Sequence, residues 1–568
     1  MGPRFDPRWG QRAARTPSVA ADAGRGSPIV SRARGKLWVS ALASALGLVS
    51  GPAFAAPGQA DRLAGAEAQG PATRSVTAMH HNPAMLGALS GFVFQASLRG
   101  GVDHRQAARF GILDDGSTDG QLGARSNLVD PNADFFAGAS FSFDPVAIAI
   151  GAYSLSNRYR VGAPASQRYH LAVNPSVPGG SYDLHHDFTL AFAWTPLRGL
   201  HLGGAFHAPV LFASRSRDDD THLAGDGNEG VGCGGVADTT FEDPACAEHL
   251  SVRTLTSGFN LNVTGGIAYQ VNDRLTLGLR YRSRPLINQG EVTLDGEATV
   301  CLPDAAAEAE LYETGLPRCS EASPVAAEAA YSPPQEVAFG WSSVLGAQRE
   351  WQFDGNLYWV DRCRGTSTGW GNELCQRSDA MRTSLVGLDQ NASVLPDFRI
   401  YRGHRDFFGL ELWGRKRLVG SAPGPTNTAR SVGNPDRRAV FLLLGAGVRT
   451  PAVRKEALTV IDAEWWTVSA NVGTRVNLGR RRQKKRRGGW YLAPGYGVDF
   501  ALPTTFGGSG APTDYDPQSA LDFAASGRDI NGPGADAVLA GRGRPTNAGR
   551  YLQDIHVFSL GVGWAELP

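Results

Sequence analysis

The sequence lacks any uninterrupted apolar run of about 18 residues, the length that a membrane-spanning helix requires. It also lacks an excess of either charge, since 55 basic residues against 54 acidic ones leave a net charge of +1 at pH 7. This balance argues against a chain that binds nucleic acid as a whole. A helical membrane protein and a nucleic-acid-binding protein are therefore both disfavoured.

Motifs for catalysis, metals and cofactors are missing as well. The chain has no nucleophile elbow, no phosphate-binding glycine loop and no H-E-x-x-H pair. Residues 114–120 resemble the start of a calcium loop, but the twelfth position from Asp115 is Ser126 rather than a bidentate glutamate. We therefore predict a protein that is not an enzyme, holds no metal and carries no cofactor.

Cysteine is scarce, and the six residues show neither C-x-x-C spacing nor histidines at zinc-finger spacing. They fall into near neighbours along the chain: Cys233 with Cys246, Cys301 with Cys319, and Cys363 with Cys375. We predict that each pair forms a disulfide that closes one loop in an oxidising compartment. Six free thiols are the alternative.

An export signal precedes the main part of the chain. Residues 37–49 are apolar, follow Arg32, Arg34 and Lys36, and lead to the A-x-A end at Ala55. Basic flank, short apolar core and small-residue end are typical of a secretory signal peptide, so we predict a signal over 37–55 and an extension over 1–36. A buried core helix is the alternative.

Strict alternation of apolar and polar residues predicts β-strands in the rest of the chain. Leu275, Leu277, Leu279 and Tyr281 alternate with Thr276, Gly278, Arg280 and Arg282, for example. The same pattern recurs often enough for about fourteen strands. We expect them to start near Gly91, Asp134, Val146, Asp187, Gly199, Ser257, Arg274, Gln335, Glu350, Arg405, Arg438, Glu464, Gly489 and Asp554.

A transmembrane barrel explains this pattern better than a soluble sandwich. The polar face carries Arg280, Arg282, Asp354 and Asn356 in mid-strand, where a dry core would not hold them. Aromatic residues lie towards strand ends, as in the interfacial girdles of barrels: Trp194, Tyr269, Tyr281, Trp341, Trp351 and Trp359. Short connections alternate with long ones over 100–133, 157–186, 211–256, 285–334 and 362–404. Short turns inside and long loops outside are the arrangement of outer-membrane barrels, and an even strand count places both termini in the periplasm.

A basic run covers residues 480–487. It could contact nucleic acid or anionic lipid, but a solvated turn between two strands is the alternative that we favour. Strand parity places this turn on the periplasmic side.

The stretch HHNPAMLG begins with two histidines, His80 and His81. A metal pair is the weaker interpretation, because the sequence offers no third ligand nearby. Pro83 fixes its own φ and pushes Asn82 out of the helical region, so the stretch predicts a rigid turn.

Several segments together resemble the FadL/TodX family of outer-membrane transporters for long-chain fatty acids and other hydrophobic compounds. They are NPA followed by LGALSGFVFQASL, then GFNLNVTGGIAYQVNDRLTLGLRYRSRP, PPQEVAFGWSSV with WQFDGNLYWV, and the closing DIHVFSLGVGW. The resemblance implies a fourteen-stranded barrel over 91–568, plugged in its lumen by an N-terminal hatch over 56–90.

The resemblance also implies a site and a mechanism. Asn82, Pro83 and Ala84 would belong to the hatch, beside a kink in the third strand at Gly151 that opens the wall sideways. A hydrophobic ligand would bind in the lumen and leave passively through the wall. The implied setting is the outer membrane of a Gram-negative bacterium, with a monomer among lipid and lipopolysaccharide. The alternative is a surface barrel that transports nothing and displays disulfide-stapled loops for adhesion or assembly.

Overall fold

The structure of the protein is a computed structural model. It describes residues 67–112, 118–160, 181–220, 247–257, 260–287, 292–301, 321, 323–331, 333–346, 348–362, 382–386, 397–399, 405–420, 438–453, 465–480, 488–506 and 549–566. The predicted signal peptide and the extension before it lie outside these residues.

Strands dominate the described chain, and 19 of them join in one antiparallel sheet. In chain order they are β1 (Gly91–Ile112), β2 (Thr118–Phe143), β3 (Val146–Arg160), β4 (Ser181–Leu197), β5 (Leu200–Asp220), β6 (Ala247–Ser257), β7 (Asn262–Gln270), β8 (Leu275–Arg282), β9 (Val292–Cys301), β10 (Val325–Tyr331), β11 (Gln335–Leu345), β12 (Trp351–Asp361), β13 (Arg382–Val386), β14 (Asp397–Arg399), β15 (Phe407–Val419), β16 (Ala439–Arg449), β17 (Thr467–Arg480), β18 (Gly488–Phe506) and β19 (Gly549–Glu566).

The sheet closes on itself, because β1 pairs with β19 on one side and with β2 on the other. Fourteen strands form the ring, which confirms the predicted barrel. Five further strands extend the wall at one end of the barrel: β6, β9, β10, β13 and β14. This end lies opposite the short turns that join β2 to β3 and β4 to β5. There β5 pairs with β6 beyond the stretch that pairs with β7.

Each predicted strand corresponds to one strand of the ring, but the start expected near Asp134 falls well inside β2, and the predicted lengths of the long connections are wrong. β1 continues to Ile112 and β2 begins at Thr118, inside the connection expected over 100–133. The connections expected over 211–256, 285–334 and 362–404 likewise contain strands. In these outer parts the outward face also carries polar residues such as His104 and Gln106, so the alternation that marks a membrane strand fades while the backbone pairing continues.

Outside the barrel, large apolar side chains face the surroundings in a belt. On β4 the exposed fractions are 55% for Phe188, 49% for Leu190, 45% for Phe192 and 52% for Trp194. Corresponding residues on β3, β8, β12, β16 and β19 are exposed in the same way. An apolar surface this continuous is incompatible with water and matches the lipid-facing band of a transmembrane barrel.

The inner face is polar where the sequence predicts it. Arg280, Arg282, Asp354 and Asn356 are all less than 9% exposed, whereas Leu279 and Tyr281 are 48% and 46% exposed. The alternation therefore assigns each residue of β8 to the side that the sequence indicates. Buried charges of this kind require partners inside the barrel.

Residues 67–90 precede the barrel and pack against its inner face, and we call them the luminal segment. They contain the short helix α1 (Ala78–His81) and a 3-10 helix (Pro83–Ala88). Within the described part of the chain, no helix is long and apolar enough to cross a membrane. An apolar core is shared between this segment and the strands β2, β3, β4, β5 and β7, with Met79, Met85, Leu86, Phe136 and Tyr153 as its largest members.

Candidate functional site

The N-P-A stretch forms a turn that is fastened to the wall. Asn82 ends α1 in an extended conformation and caps the 3-10 helix, its side-chain Oδ1 accepting from the amide of Ala84 at 3.2 Å. Its Nδ2 donates to the carbonyl of Pro71 at 2.6 Å and to that of Ile267 on β7 at 3.1 Å. Pro83 occupies the first helical position, where its missing N–H is not needed.

Glycines in the wall let the luminal segment lie directly on the strands. A Cβ at Gly203 would collide with the backbone of Pro83 and Ala84, and one at Gly266 would collide with Oδ1 of Asn82. A Cβ at Gly278 would meet the carbonyl of Pro71 in the same way. The close approach of the luminal segment to the wall therefore depends on these positions having no side chain.

Met79 of α1 covers a glycine pair between β2 and β3. Gly138 and Gly151 are cross-strand partners, and a Cβ placed on Gly151 would lie 2.5 Å from the Met79 sulfur. A Cβ on Gly138 would lie 2.8 Å from the Met79 methyl group. At this point the wall consists of paired backbone without side chains, and Met79 covers it from inside.

The pairing between β2 and β3 ends just beyond this glycine pair. The ladder runs from Phe143↔Val146 to Phe136↔Tyr153, and the described residues contain no further backbone pair between the two strands. Beyond it β2 pairs with β1 and β3 pairs with β4. The hydroxyl of Ser154 accepts from the amide of Phe135 at 2.8 Å, so one residue beyond the last backbone pair a side-chain hydrogen bond takes the place of the ladder. We call the unpaired stretch the split.

An apolar groove lies on the outer face of the barrel at the height of the Gly138–Gly151 pair. It has a volume of about 600 Å³, and small residues of β2 and β3 form its floor while phenylalanines rise at its sides. The residues that line it include Phe94, Ala137, Ala139, Ala152, Phe188 and Phe206. Among the described lining residues none is charged. The groove and Met79 are therefore separated only by the Gly138–Gly151 backbone.

A buried polar cluster stands directly inside the split. Its members are His80, Tyr153, Asp187, Thr189, His207 and Arg282. The Tyr153 hydroxyl lies 3.1 Å from Nδ1 of His80, 3.1 Å from Nδ1 of His207 and 2.9 Å from the hydroxyl of Thr189. Arg282 donates to Asp187 at 3.0 Å and to Nδ1 of His80 at 3.1 Å. The cluster thus joins the luminal segment to β3, β4, β5 and β8.

Two further anchors hold the start of the luminal segment. Glu67 accepts from Arg475 of β17 at 2.6 Å, and the Arg475 guanidinium lies 3.8 Å from the centre of the Tyr491 ring. Gln69 pairs with Nε2 of His81 at 3.0 Å. The two histidines of the HHNPAMLG stretch therefore contact different partners, although their rings lie 4.9 Å apart. In the described part of the chain, no group of three or more His, Cys, Asp or Glu side chains is placed to hold a metal ion.

The structure brings only some of the predicted site residues together. Asn82, Pro83 and Ala84 contact β5 and β7, whereas Gly151 contacts Met79, and β4 lies between these two places. The register shift of β3 lies between Ser154 and Ser156, and both ladders are continuous at Gly151. Cys301 is the last residue of β9, and the other five cysteines lie outside the described residues, so the disulfides stay predictions.

Sequence reasoning missed Met79, Gly138 and Tyr153, which form the centre of the site. Met79 is one residue before the double histidine, and Gly138 is a glycine inside an apolar strand, the usual mark of a close approach. Nothing in the sequence relates Tyr153 to His80, because their contact depends on how the segment folds back into the barrel.

Solved structures with the same architecture exist. A FadL homologue from Pseudomonas aeruginosa is 12% identical, the match covers 91% of this chain and 100% of that chain, and the TM-score is 0.59. The toluene transporter TodX from P. putida is 11% identical, with 89% and 98% covered and a TM-score of 0.51.

The chain has the FadL/TodX fold. No protein-family model and no curated protein sequence matches the chain, so the likeness rests on the three-dimensional architecture. In this FadL-type barrel the luminal segment and the split between β2 and β3 lie next to each other. The fold expected from the quoted sequence segments is therefore confirmed, and the identity is low because a barrel requires alternation rather than particular residues.

Proposed function

We propose that this FadL-type barrel is a passive outer-membrane transporter of long-chain fatty acids or other hydrophobic compounds. The observation that carries the proposal is the split between β2 and β3, which opens next to an uncharged apolar groove on the lipid-facing side. The neighbours in structure support it, since one is described as a FadL homologue and the other as a toluene transporter.

The route of the ligand would lead sideways out of the lumen. A hydrophobic molecule gains nothing from entering the watery periplasm, because its transfer free energy favours the bilayer by about 25 cal/mol per Å² of apolar surface. A groove of about 600 Å³ has a volume within the range of small-molecule sites, and it is open towards the lipid. We infer that the ligand passes the split, crosses the groove and enters the membrane there.

The luminal segment would act as the hatch of this route. Its predicted extent is residues 56–90, of which 67–90 are described and pack against the wall. Met79 covers the glycine pair from inside, so its displacement would be the step that gives the ligand access to the wall. In this scheme the predicted signal peptide directs export of the chain from the cytoplasm, and the barrel works in the outer membrane as a monomer.

Display of outer loops is a second candidate function. The observation that favours it is that β6, β9, β10, β13 and β14 prolong the wall beyond the ring, towards the predicted disulfide loops. In that case the split would have no transport role. Blocking it would leave the protein's activity unchanged.

Uptake measurements separate the two functions. Cells that lack or carry the protein are given a radiolabelled long-chain fatty acid and, separately, toluene, and initial uptake is recorded. We expect A152W to reduce uptake about tenfold or more. An indole on the floor of the groove would fill its volume and force the neighbouring side chains to rearrange before a ligand could pass. A446W is the matched control, since Ala446 is exposed on the outer face of β16, away from the groove. Equal uptake with and without the protein would refute transport of these ligands, and equal loss in both variants would refute the sideways route.

A further inference from the structure

Tyr153 occupies a special position in the wall, because it is the last residue of β3 that pairs with β2. Its side chain points inwards and is completely buried. The hydroxyl meets groups from three other elements: His80 of α1, Thr189 of β4 and His207 of β5. A phenol has one proton to donate, so it cannot donate to both histidines.

The protons of the cluster can be assigned by following donors and acceptors. Arg282 has only donors, so Nδ1 of His80 accepts and carries no proton. Thr189 donates to the Tyr153 oxygen at 2.9 Å, and its own oxygen then accepts from Nδ1 of His207 at 2.8 Å. The proton of Tyr153 then lies between two acceptors, Nδ1 of His80, whose lone pair also accepts from Arg282, and the Asp187 carboxylate.

The same assignment continues to β7. His207 is neutral with its proton on Nδ1, so its Nε2 accepts from the hydroxyl of Thr264 at 2.8 Å. The result is a directed chain of hydrogen bonds from Thr264 through His207 and Thr189 to Tyr153, whose hydroxyl then meets His80 and Asp187. It crosses the neighbouring strands β7, β5, β4 and β3 in order and ends on the luminal segment. Buried chains of this kind are rigid when every member is satisfied.

We propose that Tyr153 is a positioning residue whose hydroxyl holds α1 against the wall as a latch, and so keeps Met79 over the Gly138–Gly151 pair. His80 and Met79 are adjacent in α1, so a bond to His80 fixes the place of Met79. The latch joins the luminal segment to the last paired residue of β3, where the split begins. This inference rests on the proposed function only for its consequence in transport; the latch itself is a property of the fold.

Methionine oxidation tests the latch without any transport assay. Met79 and Met85 are both completely buried in the luminal segment, so peroxide reaches either sulfur only when the segment opens locally. In Y153F we expect Met79 to be oxidised about tenfold faster than in the unaltered protein. The variant loses one buried hydrogen bond, and a loss of about 1.4 kcal/mol makes the opened segment about tenfold more populated. Met85 should keep its rate, and peptide mass spectrometry resolves the two sites.

Two variants make the result decisive. Y281F removes a tyrosine hydroxyl that bonds to Gln335 on the exposed side, and it should leave the Met79 rate unchanged. T189V removes the donor behind Tyr153 and should raise the Met79 rate less than Y153F does, which also covers the case that Y153F does not fold. An unchanged Met79 rate in Y153F and T189V would overturn the latch, and so would an equal rise at Met79 and Met85, which would indicate loss of the whole segment. Absence of uptake by the unaltered protein would refute the proposed function and leave the oxidation result standing.

Discussion

Replacing Arg282 by methionine is expected to destabilise the barrel by about 3–5 kcal/mol, because it leaves a buried carboxylate without its cation. Arg282 pairs with Asp187 at 3.0 Å, and the Asp187 side chain is completely inaccessible to solvent. Methionine is similar in length but carries no charge, so the Asp187 carboxylate would stay buried without its cation. The free energy of unfolding, measured by urea titration of the protein in lipid vesicles, is the quantity to compare.

The matched control is R349M. Arg349 lies 3.8 Å from Asp273, whose side chain is 61% exposed, and water screens such a pair. The expected change there is about 0–1 kcal/mol. The double variant R282M/D187N removes both charges and should recover most of the lost stability. The main cost of R282M is the uncompensated buried charge of Asp187, and this charge is absent from the double variant. If R282M were no more destabilising than R349M, the buried Arg282–Asp187 pair would not contribute to the free energy of unfolding.

Replacing Asn82 by alanine is expected to destabilise the luminal segment by about 3 kcal/mol, since three hydrogen bonds of roughly 1 kcal/mol each are lost. The change leaves the carbonyls of Pro71 and Ile267 and the amide of Ala84 without the partners that Asn82 supplies. Hydrogen exchange, read by mass spectrometry on peptides from residues 67–90, should show a rise of about two decades in rate, with the barrel strands unchanged.

Asn272 provides the control for this substitution. Its side chain also caps a turn, accepting from the amides of Arg274 and Leu275 at 2.8 and 2.9 Å, but the turn is exposed at the end of the barrel. We expect N272A to cost about 1 kcal/mol and to leave exchange in the luminal segment as it was. Exchange in residues 67–90 that is equal in N82A and the unaltered protein would show that the N-P-A turn does not fasten the segment.

Much of the fold could be predicted from the sequence, because alternation is a local property. Successive side chains of a strand point to opposite faces, so the order of Leu279, Arg280, Tyr281 and Arg282 alone decides which of them meet lipid and which meet the lumen. The turn at Asn82 was predictable for a similar reason, since Pro83 restricts the backbone of both residues.

The extents of the strands were less predictable. Beyond the apolar belt the outward face of β1 turns polar, and the alternating pattern stops while the ladder to β19 runs on to Arg109. Backbone pairing there depends on the neighbouring strand, which the residues of β1 do not specify. The predicted connection over 100–133 was therefore too long.

The sequence by itself determined a closed barrel, the faces of its strands and a rigid turn before the first strand. Only the tertiary structure decided that Met79 covers the Gly138–Gly151 pair, that Asn82 fastens the segment to β7, and that Tyr153 meets His80. These contacts join residues far apart in the chain and arise from ring closure and strand register. Both are set by the simultaneous pairing of all the strands, so no local pattern of residues records them.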